Sequence, residues 1–114
     1  MVTPTPQAPK RGDLLWITYL PTTGHEQGGR RPAIVLSHDL YNSKVGLCIA
    51  CPVTSEVKGY PFEVSLPDGL PVHGVILADQ VRSVDWRARG AELIGQCPPS
   101  TVAEVLSRIR ALLE

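Results

Sequence analysis

The sequence predicts a mainly β domain, a small antiparallel barrel of short strands with one amphipathic helix at the C-terminus. Three observations carry this. Apolar runs of strand length alternate with turn residues across residues 12–96, as in all-β domains. Eleven prolines and ten glycines punctuate 114 residues, which favours tight turns over long helices. Only at the end does the period change: Val102, Val105, Leu106, Ile109, Leu112 and Leu113 recur at helical spacing. A barrel suits many short strands because closure removes their unpaired edges.

The elements follow in order. "MVTPTPQAPK", residues 1–10, is rich in proline and small residues and reads as a disordered tail; residues 11–114 form the single domain. "GDLLWITYL" is a strand of β-formers. A glycine-rich loop leads into "RPAIVLS", a buried strand with Pro32 suited to its start. Ser37 is placed to cap a short helical turn through Leu40 and Tyr41. "GLCIACPVTS" is a third strand, ended by Pro52 and the polar Thr54 and Ser55. "KGYP" turns the chain into "FEVSL", whose alternation marks a half-buried strand. After the loop "PDGLPVHG", the segment "VILADQVRSVDW" holds one or two short strands and "AELIGQ" the last. Pro98 and Pro99 precede the helix, with Ser100 or Thr101 as N-cap and Thr101 and Glu104 at capping-box spacing.

Composition excludes several classes. Formal net charge is zero, against a strongly basic nucleic-acid binder, although Arg30, Arg31, Lys58, Arg82, Arg87 and Arg89 fall in predicted loops and turns and could form a local basic face. No apolar run reaches the ~20 residues of a membrane span, and the N-terminus lacks a signal-peptide core; the expected setting is cytoplasmic. Three cysteines fit reduced thiols better than a disulfide framework. Cys48 and Cys51 are spaced C-x-x-C, but on a strand they point to opposite faces, so buried core thiols are expected.

Several motifs fail on geometry. Ser37, His38 and Asp39 are adjacent, and triad partners must converge from separate parts of a fold. His25, His38 and His73 share no metal-ligand spacing with each other or with the cysteines, so no metal or other cofactor is expected. The glycines of "GHEQGG" lack the Gly-Lys-Ser/Thr of a P-loop.

Three polar clusters remain. Glu26, Gln27, Arg30 and Arg31 precede the second strand; Thr54, Ser55 and Lys58 follow the third; Asp79, Gln80, Arg82, Ser83, Trp86, Arg87 and Arg89 follow "VIL". Loops of a small barrel can share one rim. Arginine offers a planar fork of donors suited to phosphate, hydroxyls add donors, and Tyr60, Phe62 or Trp86 could stack on bases. The plainer alternatives are a solvated charged surface, and core roles for Trp16 and Trp86.

"RGDLLWITYLPTTGHEQGGRRPAIVLS", "CPVTSEVKGYPFEV" and "GVILADQVRSVDWRARGA" closely resemble the MazF branch of the MazF/PemK toxin family, over about Arg11 to Ala91 and with a matching C-terminal helix. The resemblance implies an SH3-like barrel assembled as a homodimer. It implies a metal-independent, sequence-specific endoribonuclease toxin acting on single-stranded RNA. In the family the 2′-hydroxyl attacks the adjacent phosphate, leaving 2′,3′-cyclic phosphate and 5′-hydroxyl ends, and an antitoxin covers the RNA site with an acidic segment. The family's catalytic positions fall on Glu26, Arg31 and Thr54. Ser55 and Lys58 fall in the loop that shapes the RNA groove, Gln27 and Gln80 at polar groove positions, and Arg30 and Arg82 beside them as further RNA contacts. His25 stands where the family often has Ser, and Gly28 where it often has Ala, which bears on the RNA word preferred. One alternative is an inactive SH3-like binding module that retains groove residues only for an antitoxin-like partner; the other is a toxin of the same fold that acts by binding protein, as gyrase-poisoning CcdB does. The latter is disfavoured because the chain ends Ala111-Leu112-Leu113-Glu114 rather than in a Trp-Gly-Ile type tail.

Overall fold

The structure is a computed structural model and describes residues 7–19 and 29–114. In chain order it contains β1 (Asp13–Tyr19), β2 (Gly29–Val35), α1 (Asp39–Val45), β3 (Cys48–Thr54), β4 (Glu63–Ser65), β5 (Val75–Leu77), a 3-10 turn (Ala78–Gln80), β6 (Arg82–Val84), β7 (Glu92–Gln96) and α2 (Pro99–Leu113). The mainly β class with a C-terminal helix holds.

The pairings are antiparallel, in the order β4-β5-β3-β2-β1-β7, with β6 also on β3. Among the described residues β4 and β7 do not pair, so the expected barrel is not closed by hydrogen bonds. Side chains fill the opening instead. Leu70, from the loop after β4, lies against Gly95 of β7 and joins Val102 and Val105 of α2 in one apolar cluster. The end strands are only three and five residues long, which leaves few ladder bonds to be gained by closure.

The sheet is buried on both faces, which is why β1, β2 and β3 read as near-continuous apolar runs. One face carries Leu14, Ile34, Cys51 and Val53 under α2. The other carries Leu15, Ile17, Tyr19, Ala33, Val35, Cys48 and Ala50 with Val84 and Trp86. Fully burying a side chain of this size contributes about 1.5–3 kcal/mol.

Proline sits deeper in the strands than expected. Pro32 stands inside β2 and pairs with Trp16 of β1, but β2 pairs with β3 only from Ala33 onward. Pro52 stands inside β3 rather than ending it. On that strand's far side β6 pairs with Cys48 to Ala50 and β5 with Val53 and Thr54. Each proline therefore lies where a ladder on one side stops, and its missing N–H leaves no orphaned donor there.

The helix starts also differ. α2 begins at Pro99 with Pro98 as N-cap, so Ser100 and Thr101 lie inside its first turn and form no capping box. Proline suits that position because its ring presets φ and it lacks the N–H that would be unpaired. Leu112 and Leu113 are exposed, beyond the end of the core. α1 is a helix of seven residues with His38, not Ser37, as N-cap. Ser37 instead ties α1 to β3: its hydroxyl donates to Asn42 Oδ1 and accepts from the Ile49 N–H.

Residues 7–10, part of the expected tail, pack against the domain. Pro9 is buried, and its carbonyl accepts 2.8 Å from Asn42 Nδ2. Residues 1–6, the remainder of the expected tail, lie outside the described residues. Asn42 is fully buried; Nδ2 also donates to the Ser37 carbonyl, and its own carbonyl accepts from Trp86 Nε1 at 3.1 Å. One residue thus joins the N-terminal segment, α1 and the second core face. Replacing Asn42 by Ala leaves the Pro9 and Ser37 oxygens without this donor and should cost about 1–3 kcal/mol, read as a lowered urea midpoint with unchanged m-value.

Candidate functional site

Adjacent residues on a strand face opposite sides, so β2 separates Arg30 from Arg31. Arg31 pairs with Ile17 and shares the face of Ile17 and Ala33. Ala33 pairs with Pro52 of β3, and there the β2–β3 ladder ends. One step out along the same face stand Arg31 on β2 and Thr54 on β3. They flank the mouth where the two strands part. Arg31 is half-buried. Thr54 is buried, and its Oγ1 accepts 3.1 Å from the Glu56 N–H, so its hydroxyl proton can still be donated.

The loop before β5 is clamped to this point. Gly74 has φ +133°, and a Cβ there would overlap the Thr54 carbonyl oxygen. Only glycine permits that approach. The Gly74 carbonyl accepts from the Leu66 N–H at 3.0 Å, and Thr54 pairs with Val75. The clamp brings residues 71–73 beside the site and forms a cleft of about 320 Å³. Its lining holds Trp16, Pro32, Val53, Pro71 and Val72 as apolar surface and Arg30, Arg31, Ser55 and His73 as polar groups; Trp16, Pro32 and Val53 lie on the strand face opposite to that of Arg31 and Thr54.

Lys58 is exposed on the loop between β3 and β4. Glu63 shapes that loop: its carboxylate accepts from the Lys58 N–H at 3.3 Å and the Gly59 N–H at 3.0 Å. Tyr60 stacks on Phe62 with ring centroids 5.2 Å apart and stays half exposed. Sequence reasoning missed Glu63, although a carboxylate after a Gly-containing turn is a fit acceptor for loop N–H groups. Gln80 ends the 3-10 turn, half-buried. Arg82 lies in β6 rather than a turn, opposite Ala50, with its guanidinium 5.7 Å from the Tyr19 ring centroid. Tyr19 is buried, which pushes its phenol pKa upward. Glu26 and Gln27 lie outside the described residues.

Arg30 has a different task from Arg31. Although it borders the cleft, its guanidinium donates to Thr18 Oγ1 at 3.0 Å, the Gly90 carbonyl at 2.9 Å and Glu92 at 2.7 Å. It fastens β2 to β1, to the loop before β7 and to the first residue of β7. Arg89 donates to the Thr18 carbonyl at 3.2 Å, and Arg87 lies 4.9 Å from the Trp86 ring centroid. Trp86 is buried, so it serves the core and not base stacking. The cysteines are likewise core groups: burial pushes Cys48 and Cys51 up to about 12 and raises Cys97. Among the described residues no cluster of His, Cys, Asp and Glu could hold a metal ion. No helix there is long and apolar enough to cross a membrane.

Residues 10–113 match the model of the PemK-like, MazF-like toxins of type II toxin–antitoxin systems. The chain belongs to this family. Among its relatives, the endoribonuclease toxin MazF of Escherichia coli K12 is 49% identical over 105 residues, covering 92% of this chain and 94% of the relative. The endoribonuclease toxin ChpB of the same organism is 37% identical, with 92% of this chain and 94% of the relative covered. A crystal structure of MazF from Deinococcus radiodurans superposes with a TM-score of 0.89 at 55% identity, covering 93% of this chain and 96% of that one. The same coverage and identity, with a TM-score of 0.84, hold for a MazE–MazF structure from that organism.

Two substitutions separate scaffold from site. Gly74→Ala drives a methyl group into the Thr54 carbonyl and should lower stability by about 2–3 kcal/mol, measured by chemical denaturation. Arg30→Ala removes a partly exposed ion pair and two hydrogen bonds. It should cost about 1 kcal/mol and change RNA cleavage less than about threefold in a fixed-temperature turnover assay, within the scatter expected away from reacting groups.

Proposed function

We propose that the chain is an endoribonuclease toxin that cuts single-stranded RNA at a short sequence word and is neutralised by an antitoxin that covers the same site. The observation that carries this reading is the placement of Arg31 and Thr54 on one face at the parting of β2 and β3. It is supported by relatives named as endoribonucleases and by the MazE–MazF complex of a similar chain. The working form is a homodimer, the assembly that the family resemblance implies, in the cytoplasm of a prokaryote.

Cleavage by transesterification has three demands. The 2′-hydroxyl loses a proton as it attacks phosphorus, the pentavalent phosphorane gathers negative charge, and the 5′-oxygen leaves with a proton. Arg31 and Thr54 serve the second demand by donating to the non-bridging oxygens. Both belong to strands packed into the core, so little reorganisation is needed when the charge develops. Glu26 acts as the base, or orients Arg31. Arginine is a poor proton carrier near neutrality because its pKa exceeds 12. Ser55, Lys58 and Gln80 serve the groove for flanking nucleotides, with Tyr60 as a stacking surface, and the family motif assigns Gln27 to the same task. Arg82 adds positive charge on the Arg31 face.

The test is turnover on a long single-stranded RNA in excess chelator, with the cut ends sequenced and assayed for cyclic phosphate. Arg31→Ala and Thr54→Ala should each lower kcat ~100- to 1,000-fold and change RNA affinity far less. Intact RNA with the wild-type chain would defeat the nuclease reading in favour of toxicity by protein binding. Wild-type turnover in either variant would defeat the residue assignment.

A further inference from the structure

We infer that the cleft beside Arg31 is a base-binding subsite and that His73 reads the edge of the base held there, which makes His73 a specificity-determining residue. The inference rests on the nuclease reading above and adds a residue that the catalytic set does not contain.

The cleft has the chemistry an unpaired nucleobase requires. A base is flat, apolar on both faces and polar at its edge, and single-stranded RNA is recognised by stacking on rings and by hydrogen bonds to that edge. Here Trp16, Pro32, Val53, Pro71 and Val72 supply apolar surface to the lining. The volume is about 320 Å³, small for a folded partner element. Arg31 borders this cleft from the opposite strand face, at the parting of β2 and β3, and Ser55 shares its lining, so a base in the cleft belongs to a nucleotide whose backbone passes through the parting to the phosphate that Arg31 holds.

His73 is placed as a reader. It is exposed, lines the cleft, and makes no hydrogen bond or ion pair among the described residues. A neutral imidazole offers one donor and one acceptor, the pattern needed to tell one base edge from another. Its backbone is held by the close approach of Gly74 to the Thr54 carbonyl and by the Leu66–Gly74 hydrogen bond. A reading group on a clamped segment discriminates; one on a loose loop adapts to any base. An extended peptide could also lie against these walls, but the continuity with Arg31 and Ser55 favours a nucleotide.

The experiment uses the full chain as wild type, His73→Ala and His73→Gln. Cut sites are mapped on a long RNA, and kcat/KM is measured on short RNAs carrying each base at each position of the preferred word. His73→Ala should lower kcat/KM on the preferred word ~10- to 100-fold, the scale of one or two base-edge hydrogen bonds. Discrimination should vanish at one position only. His73→Gln, which keeps a donor and an acceptor, should retain part of it. Unchanged preference at every position in an active His73→Ala chain overturns the subsite and leaves the nuclease reading standing. A uniform loss across all words also overturns it, because it assigns His73 to structure. Unchanged preference with weakened binding of overlapping peptides from the cognate antitoxin gives the cleft to the antitoxin instead. Failure of the wild type to cut RNA is a separate result and falls on the nuclease reading.

Discussion

Strand β3 is bonded to three other strands, and the rest of the molecule depends on how it holds them. Along one side it pairs with β2; along the other it passes from β6 to β5. Such a hand-over leaves a short unpaired stretch of backbone in a buried place, where an orphaned N–H is costly. Pro52 lies in that stretch and has no N–H. Pro32 has the corresponding place on β2, at the edge of its pairing with β3. The prolines therefore let the sheet branch and part without unsatisfied donors, and the parting is where Arg31 and Thr54 stand. The same covalent feature that stops the ladder opens the mouth of the site.

Strand alternation then divides the work among neighbouring residues. Arg30 and Arg31 carry the same charge one position apart, yet Arg30 is spent on Thr18, Gly90 and Glu92. Arg31 shares the face of Thr54. Arg30 adds stability to the scaffold, while the backbone from which Arg31 projects is held by its own pairing with Ile17 of β1. A guanidinium on a strand tied to its neighbours keeps its geometry, and an ångström of misplacement at a reacting centre can cost ~100-fold in rate. The Gly74 clamp does the same for the opposite wall.

Much of the fold is legible in the sequence because periodicity reports burial directly. The apolar runs of β1, β2 and β3 and the helical stripe of α2 mark out most of the core by pattern alone. Prolines are harder to place, because a single sequence shows that an N–H is missing, not which neighbour would have needed it. Pro32 and Pro52 therefore read as strand ends and stand inside strands. Barrel closure is over-read for a related reason: Leu70, Val102 and Val105 fill the space between the end strands, and nothing in their sequence spacing says so. In the site, Arg31 and Thr54 can be named from family motifs, and their shared face follows from register. The role of Arg30 cannot, since its partners Gly90 and Glu92 lie some 60 residues away. By residue type Trp86 suits stacking and packing equally; its burial and its bond to the Asn42 carbonyl decide for the core. Glu63 lies within the segment "KGYPFEV" without a part assigned to it, and His73 lies outside the segments that resemble the family. Their parts come from where Gly59 and Gly74 turn the chain.

These placements bear on how a neutral protein can hold a polyanion. Formal net charge is zero, so long-range attraction to RNA is weak and cannot supply the affinity that a basic protein gains from released counterions. Recognition must then come from short-range contacts: a few donors fixed on strands, ring surfaces, and base edges read at close range. Such contacts select as well as bind, since a base that fits badly leaves polar groups unpaired. Under the proposed function, a site of this kind would spend its binding energy on one short word rather than on RNA in general. The absence of a basic excess, which at first argues against an RNA partner, is compatible with the word-selective cleavage proposed above.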